Sequence, residues 1–179
     1  SRLSFRLFFC GGVVSAKKTM HFTSTVEASI WNCLDHYAYE DAEFLSEIFF
    51  AQTKSDDALH LLATTYYRMG RVNAAHRLLR LHGAKSAKNK FLLTKCCVDL
   101  EKLEEAEMIV NGTDPLLAPL PKTDGDPVDQ AFGKSASFAK ALLATVYSKT
   151  HRLDKATAEL KQSLKQNPFL WSSLEKLCQ

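Results

Sequence analysis

The stretch that most constrains this chain is residues 55–83. Within it, Leu59, Leu62, Ala63 and Tyr66 recur at the three- and four-residue spacing of one helical face. Gly70 breaks the pattern, and Val72, Ala75, Leu78 and Leu79 restart it. Ser55 suits the N-cap of the first helix, and Asp56 and Asp57 suit the positive end of its dipole. Arg77, Arg80 and His82 gather near the end of the second helix, and Gly83 supplies a left-handed stop. The spacing therefore predicts two short amphipathic helices folded back on each other at a glycine.

A lone hairpin of this kind cannot bury its apolar face, so recurrence decides the fold. Phe91, Leu92, Leu93, Cys96 and Cys97, followed by Leu103, Ala106 and Val110, repeat the spacing. Ala141, Leu142 and Tyr147, followed by Leu153, Ala156 and Leu160, repeat it again. A weaker copy has Ile30, Cys33 and Leu34, then Tyr39, Ala42 and Phe49. Ala42, Ala75, Ala106 and Ala156 then stand 33, 31 and 50 residues apart. The tetratricopeptide repeat has a period of about 34 residues, and the last step is one period plus an insertion of about half a repeat. The predicted fold is all-α, a right-handed solenoid of antiparallel helix pairs. Repeats are expected over about 24–54, 55–85, 86–112 and 131–168, within a domain spanning 20–179. A proline-rich connection fills 112–130. The helix 168–178 is either a cap or the first half of a further repeat.

Residues 1–19 fall outside the pattern. Two arginines, a short apolar run and small residues resemble a weak signal peptide interrupted by Gly11 and Gly12. Met20 reads as a natural start, which makes 1–19 an upstream or non-native extension expected to be disordered. The first hairpin is rich in aromatics: Trp31, Tyr37, Tyr39, Phe44, Phe49 and Phe50. One hairpin needs only part of that set for its own closure, so the surplus covers the next repeat or a partner.

A net charge of +3, with basic and acidic residues interspersed, gives no footprint for nucleic acid or an anionic membrane. The five cysteines form no C-x-x-C pair, and Cys33, Cys96 and Cys97 fall on apolar faces, as buried thiols of a reducing compartment do. No metal is expected: the histidines show no H-E-x-x-H and no zinc spacing with cysteine, and each reads as a surface or half-buried residue. Gly133-Lys134-Ser135 lacks the earlier glycine of a phosphate loop, because Val128 holds that place. No nucleophile motif appears, and Glu101, Glu104, Glu105 and Glu107 read as a solvated helix face. No catalytic residue, cofactor or small-molecule substrate is expected, so the chain is not an enzyme.

Four motifs carry a more specific likeness. His36-Tyr-Ala-Tyr-Glu-Asp-Ala42, Leu61-Leu-Ala-Thr-Thr-Tyr-Tyr-Arg-Met-Gly70, Lys95-Cys-Cys-Val-Asp-Leu100 and Asn167-Pro-Phe-Leu-Trp171 occur in order. Together, from about Met20 to Cys178, they resemble the N-terminal domain of subunit 3 of the anaphase-promoting complex. The resemblance implies a scaffold in a multisubunit cell-cycle ubiquitin ligase, in nucleus and cytoplasm, that pairs with a second copy and with other subunits. It also implies that activator tails go to a separate C-terminal array.

The partner surface is expected at Ile30, Trp31, Leu34 and Tyr37, and along a concave face lined by His60, Thr64, Tyr67, Phe91, Lys95 and Val98. The alternative is a monomeric adaptor holding a peptide or helix in that groove. A chaperone-type carboxylate clamp is not expected, because His60, Thr64, Leu92, Ala141 and Thr145 supply no such donors.

Overall fold

The computed structural model describes residues 16–117 and 126–178, with side chains from Thr23 onward. Among these residues there is no strand. The helices are α1 (Ala16–Asp35), α2 (Tyr39–Thr53), α3 (Asp56–Arg68), α4 (Val72–His82), α5 (Ala87–Asp99), α6 (Leu103–Val110), α7 (Pro127–Phe132), α8 (Ala136–Lys149), α9 (Leu153–Gln166) and α10 (Trp171–Cys178). The first hairpin begins earlier than expected, at Ala16, and the part of the extension before that residue lies outside the described residues.

Four hairpins, α1–α2, α3–α4, α5–α6 and α8–α9, turn in the same way. Tyr37, Gly70, Glu101 and His151 each take φ between 59° and 76°. The next residue's N–H then reaches back to the carbonyl five positions earlier: Ala38 to Cys33 and Lys102 to Cys97 at 2.8 Å, Arg71 to Tyr66 at 2.9 Å, Arg152 to Tyr147 at 2.8 Å. This is the Schellman closure, in which a left-handed residue satisfies the last carbonyls of a helix. Each left-handed residue precedes its alanine (Ala42, Ala75, Ala106 or Ala156) by five, so the turns lock the register that the alanines set. Those alanines are buried where paired helices approach closely, and a larger side chain there would overpack by about 1–3 kcal/mol.

The first helices α1, α3, α5 and α8 pack directly on one another in sequence, and each second helix packs on the following first helix. The second helices are bridged across the junctions by polar contacts: the ion pairs Arg71 to Glu43 and Arg152 to Glu107, and the hydrogen bond between His76 and Glu105. Closer packing along one side curves the array, so the first helices line its inner face. The core forms two clusters, one of Ile30, Leu34, Ala42, Phe49, Ala58 and Leu61, the other running from Leu59 through α8 to Ala156.

The proline-rich region is more structured than a plain connection. Asp126 caps α7 by accepting from Val128 N–H at 3.0 Å, and Pro127 takes the first helical position. Gly133, with φ 50°, ends that helix, and a short 3-10 turn over Gly133–Ser135 leads into α8. The start of the repeat expected over about 131–168 is thus broken at Gly133, which separates α7 from α8. Lys140, 1% exposed, holds α7 against α8 through Asp126 (2.6 Å) and Asp129 (3.0 Å).

Candidate protein-interaction surface

Counting back eleven residues from each repeat alanine gives one position per first helix: Trp31 on α1, Thr64 on α3, Lys95 on α5 and Thr145 on α8. α10 continues the row, because Lys176 donates to Thr145 Oγ1 at 2.7 Å and stands 31 residues after it. Beside this row, seven residues before each alanine, run Asp35, Arg68, Asp99 and Lys149. Their charges alternate, and Arg68 reaches Asp35 at 3.5 Å.

The groove has two chemically different ends. At the α1 end, the Arg68 guanidinium lies 5.4 Å from the Trp31 ring centroid. At the α8 end, Phe91 and Phe138 meet edge to face with centroids 6.5 Å apart, one turn before Lys95. Between them, Tyr67 donates to Asp99 Oδ2 and Lys95 to Asp99 Oδ1, both at 2.6 Å. Burial, reinforced by the bond to Asp99, raises the Tyr67 phenol well above its ordinary pKa. His60 donates to Asn89 Oδ1 at 3.1 Å, and burial lowers its pKa, keeping the ring neutral.

Of the expected partner-binding residues, His60, Thr64, Tyr67, Phe91 and Lys95 share this face and are partly accessible. Trp31 is 37% exposed, and Tyr37 is 77% exposed because its left-handed turn lifts it off the hairpin. Three expectations are corrected. Ile30 (0% exposed) and Leu34 (1%) point into the first core cluster, and Val98 is buried in the second. They sit on the inward side of helices whose outward side carries Trp31 and Asp99. Arg68, Asp99, Phe138 and Lys176 were missed. The eleven-residue offset from the alanines finds Lys176 once α10 is taken as a further first helix.

Two polar clusters lie outside the groove. His76, buried rather than at the surface, shares a site with Cys97 and Glu105, whose ligand atoms lie within 4.8 Å of one another. The Glu105 carboxylate accepts from His76 Nε2 at 2.8 Å and from Arg80, while Lys102 stands 3.5 Å from His76 Nδ1. With the carboxylate committed and two cations alongside, the arrangement suits a repeat junction better than a metal. Glu105 and Glu107 therefore bind neighbouring repeats rather than forming a solvated face. Burial pushes the Cys96 thiol up to about 12 and the Cys97 thiol higher still, so neither is a nucleophile at neutral pH. No helix among the described residues is long and apolar enough to cross a membrane.

A curved stack of antiparallel helix pairs with an accessible inner face defines a tetratricopeptide-repeat interaction module. The family model for anaphase-promoting complex, cyclosome, subunit 3 matches residues 35–113. Residues 35–113 of this chain belong to that family. The human cell division cycle protein 27 homolog is 48% identical over 154 residues, covering 86% of this chain and 18% of the relative. The Arabidopsis thaliana homolog B is 31% identical over 147 residues, covering 82% and 18%. The chain thus spans about a fifth of the length of the curated relatives it matches. The fold also matches the Cut9 and Hcn1 hetero-tetramer crystal structure (TM-score 0.71, 20% identity, 87% of this chain and 28% of that one) and a Cdc27 N-terminus (TM-score 0.65, 18% identity, 85% and 64%).

Proposed function

We propose that this chain is a non-catalytic scaffold and homodimerisation domain of the anaphase-promoting complex, working in nucleus and cytoplasm beside the complex's other subunits. The observation that carries the scaffold role is the 48% identity to a cell division cycle protein 27 homolog across 86% of the chain. Homodimerisation is supported by apolar side chains left uncovered on the first hairpin: Trp31, Tyr37 and Phe44. Large apolar side chains exposed on one hairpin mark a contact site, and aromatics at an interface centre typically cost about 2 kcal/mol or more when truncated.

The test is the mass in solution. Multi-angle light scattering of the wild-type chain at micromolar concentration is expected to give twice the monomer mass. The double variant Trp31→Ala, Tyr37→Ala is expected to dissociate at least about 30-fold more readily, the equivalent of about 2 kcal/mol. A dimer unchanged by the double variant removes these residues from the interface, and a wild-type monomer removes the dimer.

A second reading, a monomeric adaptor that holds a peptide in the groove, is favoured by the aromatic pair Phe91 and Phe138 on the inner face. Sedimentation separates the two readings, because an adaptor stays monomeric.

A further inference from the structure

A second concavity lies away from the inner face, at the edge where α2 and α4 end and α3 begins. It encloses about 340 Å3 between the first two hairpins. Its apolar side is formed by Leu59 and by Phe50, whose ring meets His82 edge to face with centroids 4.9 Å apart. Its polar side holds Lys54, His82 and Lys85, and of the residues that line it only Asp56 carries the opposite charge. Elsewhere on the stack lysines have acidic partners: Lys95 reaches Asp99, Lys102 Glu105, Lys140 Asp126 and Lys149 Glu101. Lys54 and Lys85 reach no carboxylate among the described residues. Lys54 stands at the mouth as the left-handed cap of α2, φ 48°, a position that favours glycine. The Asn89 amide donates to Asp56 O at 3.1 Å, which sets the first turn of α5 against that of α3. Lys88 and Lys90 on that turn extend the positive edge, so four lysines face two aspartates, Asp56 and Asp57.

A solvated lysine face needs neither a concavity nor an apolar wall, and this edge has both. The excess of two positive charges matches a dianion better than a single carboxylate. A phosphorylated serine or threonine carries about −1.5 to −2 at neutral pH, with three strong acceptor oxygens. Ammonium groups take such a phosphate as point charges, and complementary charge fixes which segments dock. We propose that this edge cavity is a docking site for a phosphorylated segment of a partner protein. The phosphate sits at the rim with Lys54 and Lys85, and a neighbouring apolar side chain rests on the Phe50 ring. The site is separate from the inner face, and it does not depend on the dimer.

The probe is a fluorescein-labelled, C-terminally amidated peptide of glycine and serine with one central phosphoserine between two leucines. Fluorescence anisotropy follows its titration with the full 179-residue chain. Saturable binding is expected with a Kd of about 10–100 µM, weakened at least about 10-fold when serine replaces phosphoserine. Raising salt from about 50 to about 300 mM is expected to weaken it several-fold, because exposed charge contacts are screened. Lys54→Gln and Lys85→Gln are each expected to weaken binding several-fold, with unchanged circular dichroism. Ala51→Trp, which fills the cavity from the exposed side of α2, is expected to abolish it while the fold is kept. Lys165→Gln, on the exposed side of α9, serves as the control that leaves it unchanged. Equal binding of the unphosphorylated peptide overturns the proposal, as does the absence of saturation below about 1 mM. Undiminished binding to the Lys54→Gln, Lys85→Gln double variant, or to a folded Ala51→Trp, overturns the site. A peptide with glutamate in place of phosphoserine that binds as tightly reassigns the edge to acidic segments and overturns the phosphate. Displacement by inorganic phosphate at the peptide's own concentration reduces the cavity to a bare ion site and overturns the docking role.

Discussion

Arg152 at the start of α9 forks onto Glu107 of the preceding hairpin, Nη1 to Oε1 at 2.8 Å and Nη2 to Oε2 at 2.5 Å. Its guanidinium also lies 4.6 Å from the centroid of the Tyr147 ring. Arg71 repeats the device two junctions earlier, 4.8 Å from the Tyr66 centroid and bonded to Glu43. At the middle junction the same three positions hold Lys102, Cys97 and His76, and the Arg80 pair with Glu105 takes over the electrostatic contact. The repeats are thus joined outside the core by one recurring trio and one substitute.

The trio predicts an acid dependence. The Arg152 bond holds the Glu107 carboxyl below its ordinary range, more strongly than burial raises it. A carboxyl with a lowered folded pKa stabilises fully above its unfolded pKa, about 4.3, and the contribution fades as pH falls through the folded value. Glu107→Gln is therefore expected to melt earlier than wild type at pH 7, and the two are expected to converge below about pH 4. Arg152→Lys is expected to lose most of the effect too, because an ammonium neither forks nor stacks. Differential scanning fluorimetry at the two pH values checks both.

The turns predict a stabilising change. His151 is exposed and held at φ 59°, a region that costs a non-glycine residue about 1–2 kcal/mol. Gly70 shows the same turn without the cost. Part of the relief goes to the greater freedom of glycine in the unfolded chain, so His151→Gly is expected to gain about 0.5–1 kcal/mol in urea unfolding. A loss would mean that the imidazole has a contact worth more than its backbone strain.

Lys140 predicts a large loss. Its ammonium, buried among Asp126, Asp129 and Gln162, is held charged because the two carboxylates outweigh burial. Removing it strands two acids beside a cavity, and breaking a buried pair typically costs 3–5 kcal/mol. Asp126 and Asp129 are 31% and 44% exposed, so solvent screening takes the expected loss for Lys140→Ala below that range, to about 2–3 kcal/mol by urea unfolding.

Much of the architecture was legible because burial and period coincide in this fold. Ala42, Ala75, Ala106 and Ala156 fixed the register by size alone, and the structure puts a left-handed residue five places before each. Ser55 was readable as a cap because its hydroxyl does accept from Ala58 N–H, at 3.2 Å. Helix faces were read less well. Ile30 and Leu34 share α1 with Trp31, and only the packing of α2 and α3 settles which of them turn inward. The two clusters built from His76 and from Lys140 were not legible, because their members come from separate helices, His76 meeting Glu105 and Lys140 meeting Asp126 and Gln162, and no local spacing marks them. The α7 helix was hidden by proline, which as readily opens a helix as prevents one.

The same cluster holds a group under strain of the opposite sign. Glu159 on α9 has an Oε2 that is shielded from solvent with no hydrogen-bond donor in reach among the described residues. Burial raises its pKa, Asp126 adds to the rise, and Lys140 only partly offsets it. For an acid with a raised folded pKa, the fold prefers the protonated form, so ionisation costs stability as pH climbs through that value. Glutamine keeps the shape, removes the charge and brings N–H donors to face Asp126. Glu159→Gln is therefore expected to stabilise by about 0.5–1 kcal/mol at pH 7.5, with the gain vanishing at pH 4, where the wild-type carboxyl is already neutral. Paired urea titrations at the two pH values decide it: a gain of equal size at both would place the benefit in packing, and a loss at pH 7.5 would show that the carboxylate is held by Lys140 after all.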